Sequence, residues 1–377
     1  MDAPVDDGST QNAPMTNATR SGGGEIGAER LLHLADRYAA SDVHLKVGRP
    51  PMLRIAGELV APENWAPLDA EDLTRLYREV TSAEQRERFA AATDLDFSCS
   101  LDGARLRVNA AVQRGSITMV WHRIPTVVPT LDDLRLPSVC KELVMRPRGL
   151  VLVTGPSGSG KSTTLAAMLE YLNERKAVRI VTCEDPIEYV LEDERALITQ
   201  REMGADTPSP AAALRAALRQ DPDVIMVSEL GDVETIEAAL TAAETGHLVL
   251  AGLHTTGAVQ TIDRLIDVFP PHLKQQARVV LAGVLEGILS QVLLPTAAGN
   301  GRVAAVEVLL ATPAIRSLIQ EGKTSQIVGV METSQRLGMR SMDQALVNLY
   351  RRANVTVEAI SAATANPERL QSLIQGR

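Results

Sequence analysis

Cysteine is scarce in this chain: three in 377 residues, Cys99, Cys140 and Cys183, with no CxxC pair. A small secreted domain shows cysteines in pairs, and a structural zinc site shows them clustered. The wide spacing excludes both, so each thiol reads as a small apolar side chain in a reducing compartment. Long apolar runs are missing too. No stretch reaches the roughly 18 residues needed to cross a bilayer. Residues 1–24, rich in Asp, Asn, Thr, Ser and Gly, hold no apolar segment that reads as a secretory signal, and are expected to be a disordered tail. Positive charge is the third shortage, with 38 Lys and Arg against 47 Asp and Glu for a formal net charge of −9. A protein that tracks nucleic acid neutralises phosphates with basic residues, so no nucleic-acid partner is expected. What remains is a soluble, cytoplasmic chain whose 45% apolar residues suffice for two or three packed cores.

Hydrophobic periodicity divides the chain. Leu31, Leu34, Ala35 and Tyr38 recur at helical spacing, and a strand-like alternation follows over residues 41–45. Met52 to Val60 reads as a hairpin turning at Gly57-Glu58. One helical stretch is expected from Leu73 through Val80 to Phe89. Three alternating strands come next, joined by turns at Asp102-Gly103 and Arg114-Gly115-Ser116. Leu106, Val108, Ala110 and Val112 are expected to line one face, as are Ile117, Met119 and Trp121. Residues 25–124 thus form a small α+β domain. Pro125, Pro129 and Pro137 then interrupt every pattern, which places a linker at residues 125–137.

From residue 138 to the C-terminus the texture is different. Short β-branched runs at 150–154, 179–182, 224–227 and 248–253 alternate with alanine-rich helical stretches. Continuous apolar strands separated by helices define a parallel sheet covered on both faces, an α/β core. Beyond Val306-Glu307-Val308 the chain reads as helical, at 314–320, 342–350 and 357–362.

Gly155-Pro156-Ser157-Gly158-Ser159-Gly160-Lys161-Ser162 matches GxxxxGK[ST] at every fixed position. Glycines let backbone N–H groups turn inward on phosphates where side chains would clash, and Lys161 adds a point charge. The Ser162 hydroxyl is the expected Mg²⁺ ligand, and Thr163 follows it at the start of a helix. The apolar run 150–154 before the loop and the helix after it supply the required context, so ATP with Mg²⁺ is the expected ligand on a RecA-like P-loop NTPase core. The run 224–227 delivers Glu229 to the carboxyl edge of the sheet, where open α/β folds bind ligands. Glu184, ending a neighbouring strand, is a second carboxylate able to share a water or order the metal. His247 and His254 flank the strand between them. Arg105, Arg107, Arg114 and Arg123 lie along the strands of the first domain.

From about Ser41 to Ile319 the sequence resembles the twitching-motility retraction ATPases of type IV pili, within the secretion-ATPase superfamily. The specific segments are Thr182-Cys183-Glu184-Asp185-Pro186-Ile187-Glu188, similar to the family's Asp box, and Asp221 to Glu229, similar to its Walker B segment. Glu244-Thr245-Gly246-His247 and Leu253-His254-Thr255-Thr256 resemble its His box. The resemblance implies a hydrolytic role for Glu229, contact of His254 with the γ-phosphate, and arginine fingers from the first domain, with Arg107 and Arg123 as the choices. It further implies a PAS-like N-terminal domain, a homo-oligomer of six subunits, and a pilus platform protein of the inner membrane as partner.

Two departures bear on coupling. The family's Gly-Glu-x-Arg-Asp stands here as Ser228-Glu229-Leu230-Gly231-Asp232, without the arginine. The helix Ala-Ile-Arg-x-Leu-Ile-Arg-Glu is Ala314 to Glu321, with Gln320 for the second arginine. They leave open a non-hydrolysing or accessory nucleotide-gated subunit of a pilus or type II secretion machine. Extension and type II secretion ATPases usually add an N-terminal domain and a four-cysteine zinc motif, neither of which is seen here.

Overall fold

A computed structural model describes residues 26–55, 57–125, 127–299, 301–364 and 366–375. The expected tail over residues 1–24 lies outside them. Contacts divide the chain into two units, one ending at Ile124 and one beginning at Pro125.

The first unit opens with α1 (Ala28–Arg37), β1 (Asp42–Leu45), β2 (Met52–Ile55) and β3 (Glu58–Val60). It continues with α2 (Ala70–Val80), α3 (Ala83–Ala92), β4 (Asp94–Leu101), β5 (Ala104–Gln113) and β6 (Ser116–Ile124). The six strands form one antiparallel sheet in the order β3-β2-β1-β6-β5-β4. Leu31, Leu73, Leu76 and Phe89 from the helices meet Val108, Met119 and Trp121 from the sheet in one core. Two expectations change here. The stretch from Leu73 to Phe89 is two helices, because Ser82 caps α3 through reciprocal hydrogen bonds with Gln85 and so ends the preceding helix. Val112 is exposed although Leu106, Val108 and Ala110 are buried, since it lies near the turn end of the β5–β6 hairpin, five residues from its partner Ile117.

The second unit begins with α4 (Val139–Val144), β7 (Gly149–Thr154), α5 (Lys161–Asn173), β8 (Arg179–Glu184), β9 (Leu197–Glu202) and α6 (Pro210–Ala217). Then come β10 (Val224–Val227), α7 (Val233–Glu244), β11 (Leu248–Leu253), α8 (Ala258–Asp267) and α9 (Lys274–Val284). A hairpin of β12 (Leu285–Pro295) and β13 (Arg302–Leu310) precedes the helices α10 (Pro313–Gln320), α11 (Ile327–Thr333), α12 (Met342–Arg351), α13 (Val357–Ala363) and α14 (Pro367–Gln375). The seven-stranded sheet runs β13-β12-β7-β11-β10-β8-β9. All neighbours are parallel except β12 and β13. Every residue of β7, β10 and β11 is buried, as continuous apolar strands covered on both faces must be. The proline-rich segment packs onto this unit, with Leu131 buried among Val139, Leu143, Val151 and Leu165. Helices α12–α14 close a separate small core over the hairpin, where Leu346, Ile360 and Leu370 meet Leu294, Val303 and Ala305. Cys140 and Cys183 are buried and Cys99 is half-buried. Burial pushes their thiols up to about 12, 11 and 11 respectively, so all three are inert as nucleophiles at neutral pH.

One close approach locks the centre of this sheet. A Cβ placed on Gly252 of β11 overlaps the backbone carbonyl oxygen of Ser228, far inside van der Waals contact. Gly252→Ala is therefore expected to destabilise the protein by at least about 2 kcal/mol, measured by reversible thermal or denaturant unfolding. Gly283→Ala, at a position in α9 with nothing within 4 Å of the new methyl, is expected to gain up to about 1 kcal/mol.

Candidate nucleotide site

Four strands end side by side and hand the chain to the site: β7 at Thr154, β11 at Leu253, β10 at Val227 and β8 at Glu184. The phosphate loop leaves β7. Its glycines take the left-handed backbone that L side chains resist, with φ +74° at Gly158 and +87° at Gly160, and Gly160 caps α5. A Cβ on Gly158 meets nothing within 4 Å, so the loop's tip faces open space. The buried Ser159 hydroxyl has no hydrogen-bond partner among the described residues. A turn of inward-facing amides at a helix N-terminus, with a buried hydroxyl unsatisfied beside it, fits a phosphate chain.

Lys161 folds back over this loop. Its ammonium donates to the carbonyls of Gly155 (2.9 Å) and Pro156 (3.2 Å) and to Nδ1 of His254 (3.2 Å). Burial lowers the Lys161 pKa, with Glu229 and Glu188 opposing the shift. A ring nitrogen that accepts from an ammonium carries no proton, so His254 holds its proton on Nε2. From there it donates to Oε2 of Glu229 at 3.0 Å. Lys161, His254 and Glu229 thus form one directional line across the ends of β7, β11 and β10. His247 is elsewhere: its Nδ1 lies 2.9 Å from the Ala242 carbonyl at the end of α7, and it orients the entry to β11.

Ser162 Oγ donates to Glu188 at 2.8 Å, and the Thr163 hydroxyl is 3.1 Å from the Tyr189 hydroxyl. No group of three or more His, Cys, Asp or Glu side chains gathers to hold a metal among the described residues. A hydroxyl beside one carboxylate suits Mg²⁺, which keeps several waters and takes further oxygens from phosphates. Glu184 is buried at the end of β8, where Oε1 accepts from Thr182 (2.6 Å) and Gln200 (2.9 Å). Burial is the largest influence on its carboxyl and raises the pKa against those two donors. A cavity of about 20 Å³ between Ser162, Glu184, Glu188 and Ser228 has room for one water. Ser228, in place of the family's glycine, accepts from the Asp185 amide at 3.2 Å and ties the Asp box to β10.

Arg107 and Arg123 belong to β5 and β6 of the first unit, which carries no phosphate loop. Arg107 is exposed, whereas Arg123 pairs with Asp36 at 2.8 Å. Arg114 is in a turn rather than on a strand, with φ +52°.

Three further side chains join the geometry of the site without a motif position that assigns them a role. Glu188 was inside the Asp box but drew no role. Gln200, on the unanticipated strand β9, holds Glu184 and donates to the Tyr189 carbonyl at 2.8 Å. Gln291 on β12 is buried beneath the phosphate loop, donating to the Ser159 carbonyl (2.8 Å) and accepting from Thr164 (3.1 Å). A lone amide in the apolar run from Ile288 to Leu294 was the available signal for it. A cleft of about 570 Å³ opens beside Gly160 and Thr163, walled by Asp133, Arg135, Leu293, Thr296 and Arg302, a volume suited to a nucleoside.

Fold and site together define a P-loop ATPase with a RecA-like core. Residues 135–361 match the Type II/IV secretion system protein family. The type IV pilus retraction ATPase PilT of Pseudomonas aeruginosa is 46% identical over 339 residues, which cover 90% of this chain and 98% of that protein. A twitching motility protein of Neisseria gonorrhoeae is 47% identical over 319 residues, 84% of this chain and 85% of its own. The crystal structure of the pilus retraction motor PilT with bound ADP aligns at a TM-score of 0.87 with 43% identity, over 92% of this chain and 99% of that one. The chain belongs to the Type II/IV secretion system ATPase family.

Lys161→Ala is expected to weaken nucleotide binding about 10- to 100-fold, because the phosphates lose a charge-assisted partner. Glu229→Gln keeps the shape and is expected to bind nucleotide within about twofold of wild type while turnover falls about a hundredfold or more. Titration with a fluorescent nucleotide and a steady-state ATPase assay check the two; equal loss of binding in both variants would remove the division of roles.

Proposed function

We propose that the chain is the ATP-hydrolysing motor of a type IV pilus retraction system, acting as a six-subunit ring on an inner-membrane platform protein. The observation that carries this reading is the line from Lys161 through His254 to Glu229, supported by retraction ATPases that match the chain almost end to end. No helix among the described residues is long and apolar enough to cross a membrane, which accords with a cytoplasmic motor reaching the membrane through partners.

In this reading the nucleoside enters the cleft beside Gly160 and Thr163, and the phosphates enter the loop. Lys161 then exchanges its carbonyl contacts for phosphate oxygens. Ser162, with Glu188 behind it, would hold Mg²⁺, which when bound neutralises charge building on the β- and γ-oxygens. Oε2 of Glu229 is already engaged by His254, so Oε1 is the oxygen presented to the attacking water. Glu184, held by Thr182 and Gln200, orders water at the small cavity behind Ser162. His254 touches both the phosphate-binding lysine and the hydrolytic carboxylate, so loss of the γ-phosphate alters its partners directly. Arginines of the first unit complete a neighbour's site, Arg107 foremost because Arg123 is engaged by Asp36.

The departure at Ser228 favours one second reading, a nucleotide-gated accessory subunit, which sustained ATP turnover by the purified protein would exclude. Two inactive variants are expected to complement when mixed: Lys161→Ala, and the double variant Arg107→Ala, Arg123→Ala. Mixed rings contain interfaces with both good halves, so ATPase activity rises with mixing ratio once subunit exchange is confirmed. A flat line at background would count against action between subunits. In the cell, deleting the gene is expected to leave excess, non-retracting pili and to abolish surface motility.

A further inference from the structure

Glu307 lies outside the nucleotide site, on β13, and its carboxylate reaches two helices. Its Oε1 accepts from the amide of Ala258 at 2.7 Å, and its Oε2 accepts from the amide of Met342 at 3.0 Å. Ala258 is the first residue of α8 and Met342 the first of α12. One side chain therefore satisfies an orphan donor at two helix N-termini, where both macrodipoles favour its negative charge. Burial, the largest influence, raises its pKa, and the two amides oppose that shift.

The two helices belong to different parts of the unit. Between His254 and α8 lie only Thr255, Thr256 and Gly257. The Thr255 hydroxyl is 2.6 Å from that of Thr261, which donates to the Gly257 carbonyl at 2.8 Å, so this turn and the first turn of α8 form one block. Gly257 carries no side chain and packs close to the carboxylate, with Oε1 at 3.5 Å from where a Cβ would be. On the other side, α12 leads the small core of α12–α14 over the β12–β13 hairpin. Its N-terminus is pinned to β13 by a bridge between Val308 and Arg340, and Arg340 donates to the Val306 carbonyl at 2.7 Å. Glu307 itself pairs across the ladder with Ser290, whose hydroxyl accepts from Thr154 at the root of the phosphate loop.

We propose that Glu307 is a positioning residue that transmits movement of the His254 turn to the C-terminal helices α12–α14, because α8 and α12 share its one carboxylate. The two oxygens of a carboxylate are rigidly linked, so an N-terminus that shifts draws the other with it or gives up its hydrogen bond. This rests on the reading above that His254 responds to the γ-phosphate.

Hydrogen–deuterium exchange on the full-length protein tests it, with Mg²⁺-ADP compared against a non-hydrolysable Mg²⁺-ATP analogue. In the wild type, peptides over 255–261 and over 342–347 are expected to change together between the two nucleotides, by about tenfold at the bonded amides. Glu307→Gln keeps the shape but leaves one acceptor oxygen, so the difference over 255–261 is expected to persist and that over 342–347 to disappear. Ser341→Ala serves as the control. It removes the cap of α12 without touching the link, and is expected to speed exchange over 342–347 in both states while preserving their difference.

Identical exchange over 342–347 with both nucleotides in the wild type would overturn the proposal, whatever the variants do. So would a difference that survives in Glu307→Gln, or one that Ser341→Ala abolishes equally. If the peptides over 155–162 and 255–261 also failed to respond to nucleotide, the site assignment would fall and the coupling with it.

Discussion

The parallel register of β8, β10, β11 and β7 is the constraint on which the rest depends. Parallel pairing makes strands of similar length end on the same edge, about 5 Å apart. It places Thr154 opposite Leu253, and Val227 between Cys183 and Ala251. The segments that follow these strands then start as neighbours, although they are separated by up to a hundred residues in the chain. Lys161, His254 and Glu229 meet through that alignment, with no long loop needed to bring them together. The overlap that a side chain on Gly252 would create shows how little space the arrangement leaves. The same glycine's carbonyl accepts from the Leu230 amide at 3.0 Å, fixing the chain just after Glu229.

Polar groups buried near this edge act as fasteners between the sheet and the loops it supports. An unsatisfied buried amide or carboxylate costs several kcal/mol, so such groups persist where their partners are well placed. Gln291 couples β12 to both the phosphate loop and α5. Thr154 and Ser290 join β7 to β12 at 2.8 Å, and Gln200 joins β9 to the Asp box. The β12–β13 hairpin, whose outer strand is the sheet's antiparallel edge, is thereby tied to the phosphate loop on one side and to the C-terminal helices on the other.

Much of this was legible in the sequence, and the reasons are local. The phosphate loop has fixed spacing and a required context, and the largely apolar strands β7, β8, β10 and β11 could be read because burial on both faces removes any need for alternation. The helix break at Ser82 was legible in principle, since Ser82 and Gln85 have capping-box spacing, but the apolar pattern on either side masked it. β9 was missed because its residues are only partly covered and include Thr199, Gln200 and Arg201, which look like a loop. β12 was missed because Gly287, Ser290 and Gln291 interrupt its apolar run. Those interruptions are the residues that matter: close packing against Leu143 requires Gly287, and the phosphate loop requires Gln291. Local pattern cannot reveal a side chain whose only purpose is a partner more than a hundred residues away.

Lys161 shows one more consequence. Its ammonium already has three acceptors supplied by the protein, two of them carbonyls of the loop that would hold the phosphates. Each bond to a nucleotide oxygen therefore replaces a bond rather than adding one, and the loop possesses its own stand-in for the ligand. Binding strength is then a difference between two good states of the same lysine. With three protein acceptors around it, the ammonium is held in place by the fold itself rather than by the ligand.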